Sequence, residues 1–291
     1  MNDYVLSCCS TADLKKEHFE SKNIKYLYFH YYLDGKEMPD DLGQTLPFPD
    51  FYEAMRKGAD TRTSQINASE FVEAFTPILK EGKDVVHVTL SSGISGVYNS
   101  AVAARDILKE EFPDRNVYVV DSLCAASGYG LLMDKLADLK NGGMSAEELV
   151  SQAEIIKKTV QHWFFSSDLT FFVKGGRISK VAGFFGTLLK ICPLMHVSPE
   201  GKLVPKEKHR TAKNAIKASF EKMRLLAKDG DAYNGKCYIS HSDCFDDARA
   251  LADLIEANFK NLDGKVEIMD IGTTIGSHTG PGTVALFFFS E

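Results

Sequence analysis

The stretch Val85-Val86-His87-Val88-Thr89-Leu90-Ser91-Ser92-Gly93-Ile94-Ser95-Gly96-Val97-Tyr98-Asn99-Ser100 decides the fold of this chain. Its first six residues form a mostly apolar run that predicts a buried strand, and the Ser/Gly loop leads into a helix over 99–111. A second strand over 117–120 and a second helix over 125–139 follow. This alternation predicts a parallel sheet, in which right-handed crossovers bring the loops after both strands to one crevice where ligands bind.

The residues before this stretch also alternate between strand-like and helix-like patterns, so the chain opens on βα units. Asn67 and Glu70 form the pattern of a capping box at a helix start. The predicted elements, in chain order, are a strand over 4–7, a helix start at Ser10-Thr11-Ala12-Asp13, one strand over 24–32, a turn at Asp34-Gly35, a helix over 50–57, a turn at Thr63-Ser64-Gln65 and a helix after Asn67.

The pattern changes near His162, after a helix that Ser145 and Glu148 cap and that should run to about Gln161. The second half is predicted to contain, in chain order, a strand at Trp163-Phe164-Phe165, a turn at Gly175-Gly176-Arg177, a helix through Leu188 and Leu189, a hairpin at Pro199-Glu200-Gly201-Lys202, a helix over 211–227, a strand over 237–240, a helix over 246–258, a strand over 266–271, a glycine-rich loop over 276–282 and a strand over 284–290. With 291 residues, the chain exceeds one usual domain. We therefore predict an α/β protein of two domains, 1–161 with a parallel, Rossmann-like sheet and 162–291 with a mixed or antiparallel sheet and helices.

Composition and charge exclude several classes of protein. With 44% hydrophobic and 25% charged residues, the chain is typical of a folded globular protein. A net charge of -6 without a basic stripe argues against a nucleic-acid partner. The amino terminus lacks a leader pattern and no apolar stretch is long enough to span a bilayer, so we expect a cytoplasmic protein with no integral membrane segment.

The cysteines and histidines predict neither a disulfide framework nor a metal site. No C-x-x-C pair and no H-x-x-x-H or H-x-x-E-H spacing occurs, so we expect reduced thiols and no bound metal. The six cysteines are Cys8, Cys9, Cys124, Cys192, Cys237 and Cys244.

The loop over 91–100 could bind an anion. It leaves a strand and enters a helix, where free backbone N–H groups and the helix dipole favour negative charge, and its serines add hydroxyl donors. A tight turn with serine caps explains the same residues equally well. No Lys-Ser or Lys-Thr follows the glycines, which argues against a nucleotide phosphate site. Thr63 and His278 could add a hydroxyl and an imidazole, although each alone is also explained by a turn or a loop.

Two other functions remain open from the residues alone. A serine hydrolase would use Ser95 as the nucleophile, His278 as the base and Asp121 to orient the base. However, Gly-Ile-Ser-Gly places the serine one residue short of the G-x-S-x-G elbow. The other alternative is a structural or interaction module without a ligand.

Several motifs together resemble the DegV family over nearly the whole chain. They are Ser10-Thr11-Ala12-Asp13, Thr63-Ser64-Gln65, Leu90 to Ala101, Lys174-Gly175-Gly176-Arg177-Ile178-Ser179 and His278-Thr279-Gly280-Pro281-Gly282. The resemblance implies two α/β domains with one long-chain fatty acid between them. It also implies a bacterial, non-enzymatic carrier without a cofactor, which presents the fatty acid to a separate ATP-using fatty-acid kinase subunit for acyl-phosphate formation and phospholipid synthesis.

The resemblance also implies site residues. The carboxylate would be held by Thr63, Ser95 and His278, and Arg210 would contact the kinase. The residues near the head group would be Ser64, Ser92, Gly93, Gly96, Arg177 and Thr279. Candidates for the tail pocket, which could equally be plain core, are Phe171, Phe172, Phe184, Phe185, Leu188 and Leu189. One position departs from the family pattern, because Cys9 stands where the family has Asp, which leaves the hydrogen bonds of that loop open.

Overall fold

A computed structural model describes residues 3–178 and 191–291. The strands of the described residues are β1 (Tyr4–Cys9), β2 (Lys25–Leu27), β3 (His30–Leu33), β4 (Lys36–Pro39), β5 (Thr61–Ser64), β6 (Asp84–Thr89), β7 (Val117–Asp121), β8 (Val160–Ser166), β9 (Cys192–Val197), β10 (Leu203–His209), β11 (Tyr238–His241), β12 (Glu267–Asp270) and β13 (Thr283–Phe289). The α-helices are α1 (Lys16–Ser21), α2 (Phe48–Arg56), α3 (Ala68–Lys80), α4 (Val97–Glu111), α5 (Ala126–Asn141), α6 (Ala146–Ile156), α7 (Thr170–Lys174), α8 (Ala212–Leu226), α9 (Phe245–Asn258) and α10 (Thr273–Thr279). The predicted helix through Leu188 and Leu189 lies outside the described residues.

The first half contains the predicted parallel sheet. Its four strands run in the order β2-β1-β6-β7, and all three pairs are parallel. Every residue of β6 is buried, as expected for a central parallel strand that is covered on both faces. The capping box of Asn67 and Glu70 at the start of α3 is confirmed. The Rossmann-like architecture of this half is therefore confirmed.

The second half contains the predicted mixed sheet. Its six strands run in the order β10-β9-β8-β13-β11-β12, and β11 and β12 form its parallel pair. The hairpin at 199–202 joins β9 to β10 as predicted, with Gly201 at φ 71°. Trp163, Phe165 and Leu286 pack into a core with α8 and α9, whereas Phe164 and Phe287 belong to the core that contains the first half. The sheet thus has a buried core on each face, which explains its uninterrupted apolar strands.

A third, antiparallel sheet of order β4-β3-β5 corrects two predictions. The run over 24–32 is two strands in different sheets, because the chain turns at Phe29, whose N–H donates to Ser10 Oγ at 3.1 Å. The tripeptide Thr63-Ser64-Gln65 is not a turn between helices. Thr63 lies in β5, opposite Tyr31 of β3, so it stands at a fixed register position.

Three further boundaries differ from the predictions. Ser10–Ala12 form a single 3-10 turn that ends where Asp13 adopts φ 48°, so the first α-helix begins only at Lys16. Helix α6 ends at Ile156, and Gln161 already lies in β8. The glycine-rich segment over 276–282 is helical up to Thr279. Its first glycine, Gly276, permits close packing, since a Cβ there would lie 2.5 Å from the Tyr52 hydroxyl.

We propose to divide the domains at 161/162, near the start of the first strand of the six-stranded sheet. All six cysteines are free thiols. In the described ranges, no helix is long and apolar enough to cross a membrane. Within the same ranges, no group of three or more Cys, His, Asp or Glu side chains is arranged to hold a metal ion.

Candidate functional site

A cavity of about 380 Å³ lies between the two large sheets. This volume is in the range of small-molecule sites, which is roughly 300 to 1,000 Å³. Much of its wall is apolar. The apolar residues are Phe29, Leu90, Ile94, Ala125, Ala126, Phe164, Phe172, Val197, Leu203, Ile271, Ile275, Ala285 and Phe287. The predicted site residues that line it are Thr63, Ser64, Ser95, Gly96, Arg177, His278 and Thr279.

Thr63 and His278 form the centre of the polar part of this wall. Strand β5 places Thr63 and helix α10 places His278, so that Thr63 Oγ1 lies 2.7 Å from His278 Nε2. Burial, together with the positive charge of Arg177, lowers the pKa of His278 to about 4. The imidazole is therefore neutral at pH 7. In this form it can hydrogen-bond an anion through an N–H without carrying a charge itself.

Ser95 contacts Gln65, which was not among the predicted site residues. The Ser95 hydroxyl donates to Gln65 Oε1 at 3.4 Å, and the Gln65 amide donates to Ser100 Oγ at 2.9 Å. A Cβ at Gly96 would lie 2.9 Å from Gln65 Oε1. Gln65 therefore connects β5 to the Ser/Gly loop. The signal in the sequence was its place directly after Thr63-Ser64, with both a donor and an acceptor.

The first part of the Ser/Gly loop packs against the hairpin between β9 and β10 of the six-stranded sheet. The Ser91 hydroxyl donates to the Gly201 carbonyl at 2.9 Å, and a Cβ at Gly93 would stand 2.5 Å from the Glu200 carbonyl oxygen. Ser92 is exposed, and its N–H donates to Asp121 Oδ1 at 3.1 Å. The structure does not bring Ser92 and Gly93 to the cavity wall. Gly93 instead allows the loop to approach the hairpin.

Arg177 brings a positive charge to the polar part of the cavity. It follows the glycine turn after α7, and its Nη1 donates to the Gly175 carbonyl at 2.6 Å. Burial lowers the pKa of its guanidinium, which nevertheless stays charged. None of the ion pairs within 3–178 and 191–291 includes Arg177. An anion in the cavity would supply the missing counter-charge.

Other predicted residues lie elsewhere. Arg210 is exposed and directly follows β10, outside the cavity. Phe172 lines the cavity, but Phe171 packs beside the cluster that contains Tyr31 and Phe51. The tail candidates Phe184, Phe185, Leu188 and Leu189 lie outside the described residues.

The geometry does not assemble the hydrolase triad. Asp121 Oδ1 accepts the backbone N–H groups of Ser92 and Leu123, both at 3.1 Å. His278 Nδ1, the atom that a triad carboxylate would have to orient, is buried without a hydrogen-bond partner in the described part of the chain. The near partner of His278 Nε2 is Thr63, not Ser95.

Cys9 stands where the family has Asp, and its backbone is hydrogen-bonded. Its N–H donates to the Tyr129 hydroxyl at 3.0 Å, and burial raises the pKa of its thiol to about 12, so the thiol is not reactive at neutral pH. The next residue, Ser10, donates to Asp40 Oδ2 at 3.0 Å. Cys9 and Ser10 are therefore both hydrogen-bonded, whereas the Thr11 hydroxyl has no partner among the described residues.

Two buried carboxyl groups lie at the start of α10, the helix that carries His278. A Cβ at Gly272 would stand 2.7 Å from Asp13 Oδ1 and 3.4 Å from Asp40 Oδ1. The Thr273 hydroxyl donates to Asp40 at 2.7 Å, whereas no side chain among the described residues donates to Asp13, which faces the backbone of Gly272. Burial, and next the charge of Asp40, raises the pKa of Asp13 well above its ordinary value.

We expect Asp13→Asn to stabilise the protein at pH 7. A raised pKa in the folded state means that the folded protein binds more protons than the unfolded chain above about pH 4, so wild-type stability falls as pH rises, by at most about 1.4 kcal/mol per unit. Asparagine avoids this loss and tolerates the left-handed backbone at φ 48°. Denaturant unfolding at several pH values measures the difference, which should shrink towards zero near pH 4.

The control for this experiment is Asp229→Asn, because Asp229 is also left-handed, at φ 62°, but exposed. It should show no such dependence on pH. An Asp13→Asn variant that is less stable than wild type at pH 7 would contradict the raised pKa of Asp13.

Comparison with known proteins identifies the family. The profile of the DegV family, described as an uncharacterised protein family, matches residues 9–291. A DegV domain-containing protein from Clostridium perfringens is 35% identical over 291 residues, which cover 100% of this chain and 99% of that protein. A DegV family protein from Thermus thermophilus, described for its fatty acid binding, has a TM-score of 0.88 at 26% identity, with 100% of both chains covered. DegV from Bacillus subtilis, described as a fatty acid binding protein, has a TM-score of 0.85 at 27% identity, again with 100% of both chains covered. Both the sequence and the fold match over essentially the whole length, and the chain therefore belongs to the DegV family.

Proposed function

We propose that this protein is a carrier of one long-chain fatty acid, whose carboxylate is held by Thr63, Ser95 and His278. The carrier presents this carboxylate to a separate ATP-dependent fatty-acid kinase, which forms the acyl phosphate. The chain itself supplies binding and orientation, and the chemical step belongs to the kinase. The exposed Arg210 is the proposed contact with that partner.

The observation that carries the proposal is the composition of the cavity wall. Hydroxyls, the neutral imidazole of His278 and the guanidinium of Arg177 line the same cavity, Thr63 bonds His278, and most of the remaining wall is apolar. A fatty acid has the same division into one anionic group and one long apolar chain. DegV relatives described as fatty acid binding proteins support the same ligand class.

The acyl chain and the carboxylate of the ligand contribute differently to the free energy of binding. Burial of about 14 methylenes at about 0.8 kcal/mol each contributes on the order of 11 kcal/mol before the costs of binding. A hydrogen bond to a charged acceptor adds only about 1.5 to 3 kcal/mol. The acyl chain therefore sets the affinity, and the polar group selects ligands that carry a carboxylate.

The test is to extract purified protein under denaturing conditions and identify the released lipid by mass spectrometry. We expect about one fatty acid per chain. Ser95→Ala should weaken binding about tenfold or more, because it removes one donor to a charged acceptor. Acyl-phosphate formation with an added kinase subunit should fall in parallel at limiting fatty acid.

Ser92→Ala is the matched control, because Ser92 belongs to the same loop but is exposed and lies outside the cavity wall. Protein that releases no lipid and binds no added fatty acid would overturn the proposal. Equal affinities of the Ser95 and Ser92 variants would overturn the head-group assignment alone. Labelling of Ser95 by a fluorophosphonate would instead support a hydrolase.

A further inference from the structure

His162 is a polar residue in the cavity wall that lies away from the proposed carboxylate site. It lies on β8, two residues before Phe164, and both side chains line the cavity. Its side chain is buried, with the whole residue 3% exposed, and Nε2 has no hydrogen-bond partner among the described residues. The ring meets Phe287 edge-to-face at 5.4 Å, and a Cβ at Gly128 would stand 2.5 Å from Nε2.

The hydrogen bonds of the ring define what Nε2 offers. His162 Nδ1 lies 3.1 Å from the carbonyl oxygen of Val160, and because a carbonyl oxygen only accepts, Nδ1 carries the ring hydrogen. Burial lowers the pKa of His162 to about 3, so the ring is neutral at pH 7. Nε2 is therefore a lone-pair acceptor that lies just behind the largely apolar wall, beside Gly128. A buried acceptor without a donor costs free energy, which a matching donor would recover.

The strand register gives the distance of His162 from the carboxylate site. Thr283, also in the cavity wall, is next to the head-group end, because its hydroxyl donates to the Thr279 carbonyl at 3.4 Å. Along the same strand, Phe287 pairs directly with His162. Four residues of an antiparallel strand span about 13 Å. An extended chain advances about 1.2 Å per bond, so His162 lies about ten bonds along an acyl chain.

We propose that the preferred ligand is a fatty acid with a hydroxyl group near the middle of its chain, and that this hydroxyl donates to His162 Nε2. The proposal rests on the fatty-acid carrier function. Gly128 and Phe287 cover Nε2 in the structure, so ligand binding must turn the ring about χ2, a torsion with a broad minimum, until Nε2 faces the cavity. His162 would then set chain specificity while Thr63, Ser95 and His278 bind the carboxylate.

The test compares ricinoleic acid with oleic acid, which differ only by a mid-chain hydroxyl, on delipidated full-length protein. Wild type should bind ricinoleic acid about three- to tenfold more tightly, as expected for one net hydrogen bond. His162→Phe keeps an aromatic ring but loses the acceptor, so this preference should reverse in favour of oleic acid. His162→Gln, which retains an acceptor, should restore part of it.

Two controls separate this effect from a change in cavity size or fold. Phe164→Leu alters the same face of the same strand and should weaken both ligands alike. The ratio between β-hydroxypalmitic and palmitic acids should not respond to His162→Phe, because that hydroxyl lies beside the carboxylate. Thermal unfolding checks that each variant is folded.

The possible outcomes are distinct. Wild type that binds oleic acid as tightly as ricinoleic acid or more tightly, or a His162→Phe variant with an unchanged ratio, would overturn the role of His162 and leave the carrier function standing. Absence of binding by both acids would overturn the carrier function and, with it, this proposal.

Discussion

Asp134→Asn is expected to lower the free energy of unfolding by about 3 to 5 kcal/mol at pH 7, the range measured when one partner of a buried ion pair is removed. Asp134 lies on α5 with its side chain 2% exposed. It accepts His18 Nε2 at 2.8 Å and Lys22 Nζ at 3.0 Å, and it forms a short contact with Lys236 Nζ. The variant would leave these donors without their common anion.

This cluster connects separate parts of the fold. His18 and Lys22 belong to α1 and the turn after it, beside the parallel sheet, whereas Lys236 precedes β11 of the mixed sheet. Burial alone would raise the pKa of Asp134, but hydrogen bonds from His18, Lys236 and Lys22 hold it well below its usual range. The carboxylate therefore remains charged and helps to join the two halves.

The contribution of Asp134 to the free energy of unfolding depends on pH in one direction. The folded-state pKa of Asp134 is depressed, so its contribution is fully present above the unfolded pKa of about 4 and is lost as pH falls further. The difference between wild type and Asp134→Asn should be present at about pH 5 and shrink as the pH falls below about 4. Denaturant unfolding across this range measures it.

Asp138→Asn is the matched control, because Asp138 pairs with the same Lys22 but is 47% exposed. Exposed pairs contribute about 0 to 1 kcal/mol, so this variant should differ little from wild type. Equal losses for the two variants would show that the burial of Asp134 does not matter.

The parallel sheet could be predicted from the sequence because its pattern is local. The apolar run of β6, the Ser/Gly loop and α4 follow one another within one βα unit, and the capping boxes at Asn67 and Ser145 also depend on neighbouring residues. The mispredicted elements depend on distant partners. Thr63 is in a strand because Tyr31 pairs with it, and the break at Phe29 depends on Ser10.

The candidate site was predictable as a set of motifs, but its geometry was not. Thr63 and His278 are 215 positions apart in the chain, and their contact follows from the packing of α10 against β5. Gln65 and His162 were missed because an amide after Thr-Ser and a histidine in an apolar strand have many ordinary explanations. Burial and an unpartnered nitrogen, which arise only in the folded chain, distinguish His162.

The orientation of His278 provides the second large expected effect. A Cβ at Gly175, in the turn after α7, would stand 2.4 Å from His278 Nδ1, which is too close for the ring to stay in place. Gly175 has φ -74°, an ordinary helical value that alanine adopts without strain. Gly175→Ala should therefore displace the imidazole without distorting the turn. We expect fatty-acid affinity to fall at least about tenfold, the loss of one hydrogen bond to a charged acceptor.

Gly142→Ala is the matched control for this variant. Gly142 also ends a helix, at φ -73°, but a Cβ there would come no closer than 3.3 Å to another atom. It should bind fatty acid as wild type does in an equilibrium titration. Unchanged affinity of Gly175→Ala would mean that the position of His278 does not control binding.

A double-mutant cycle decides whether Gly175→Ala acts through His278. If Gly175 serves only to leave room for the imidazole, Gly175→Ala should have no further effect on affinity in a His278→Ala background, where the ring is absent. The coupling energy would then equal almost the whole effect of the single Gly175 variant, as expected for two residues in direct contact. Additive losses would instead place the effect of Gly175→Ala in the neighbouring Arg177, whose guanidinium bonds the Gly175 carbonyl. The cycle thus separates the two groups that the glycine turn brings to the proposed carboxylate site.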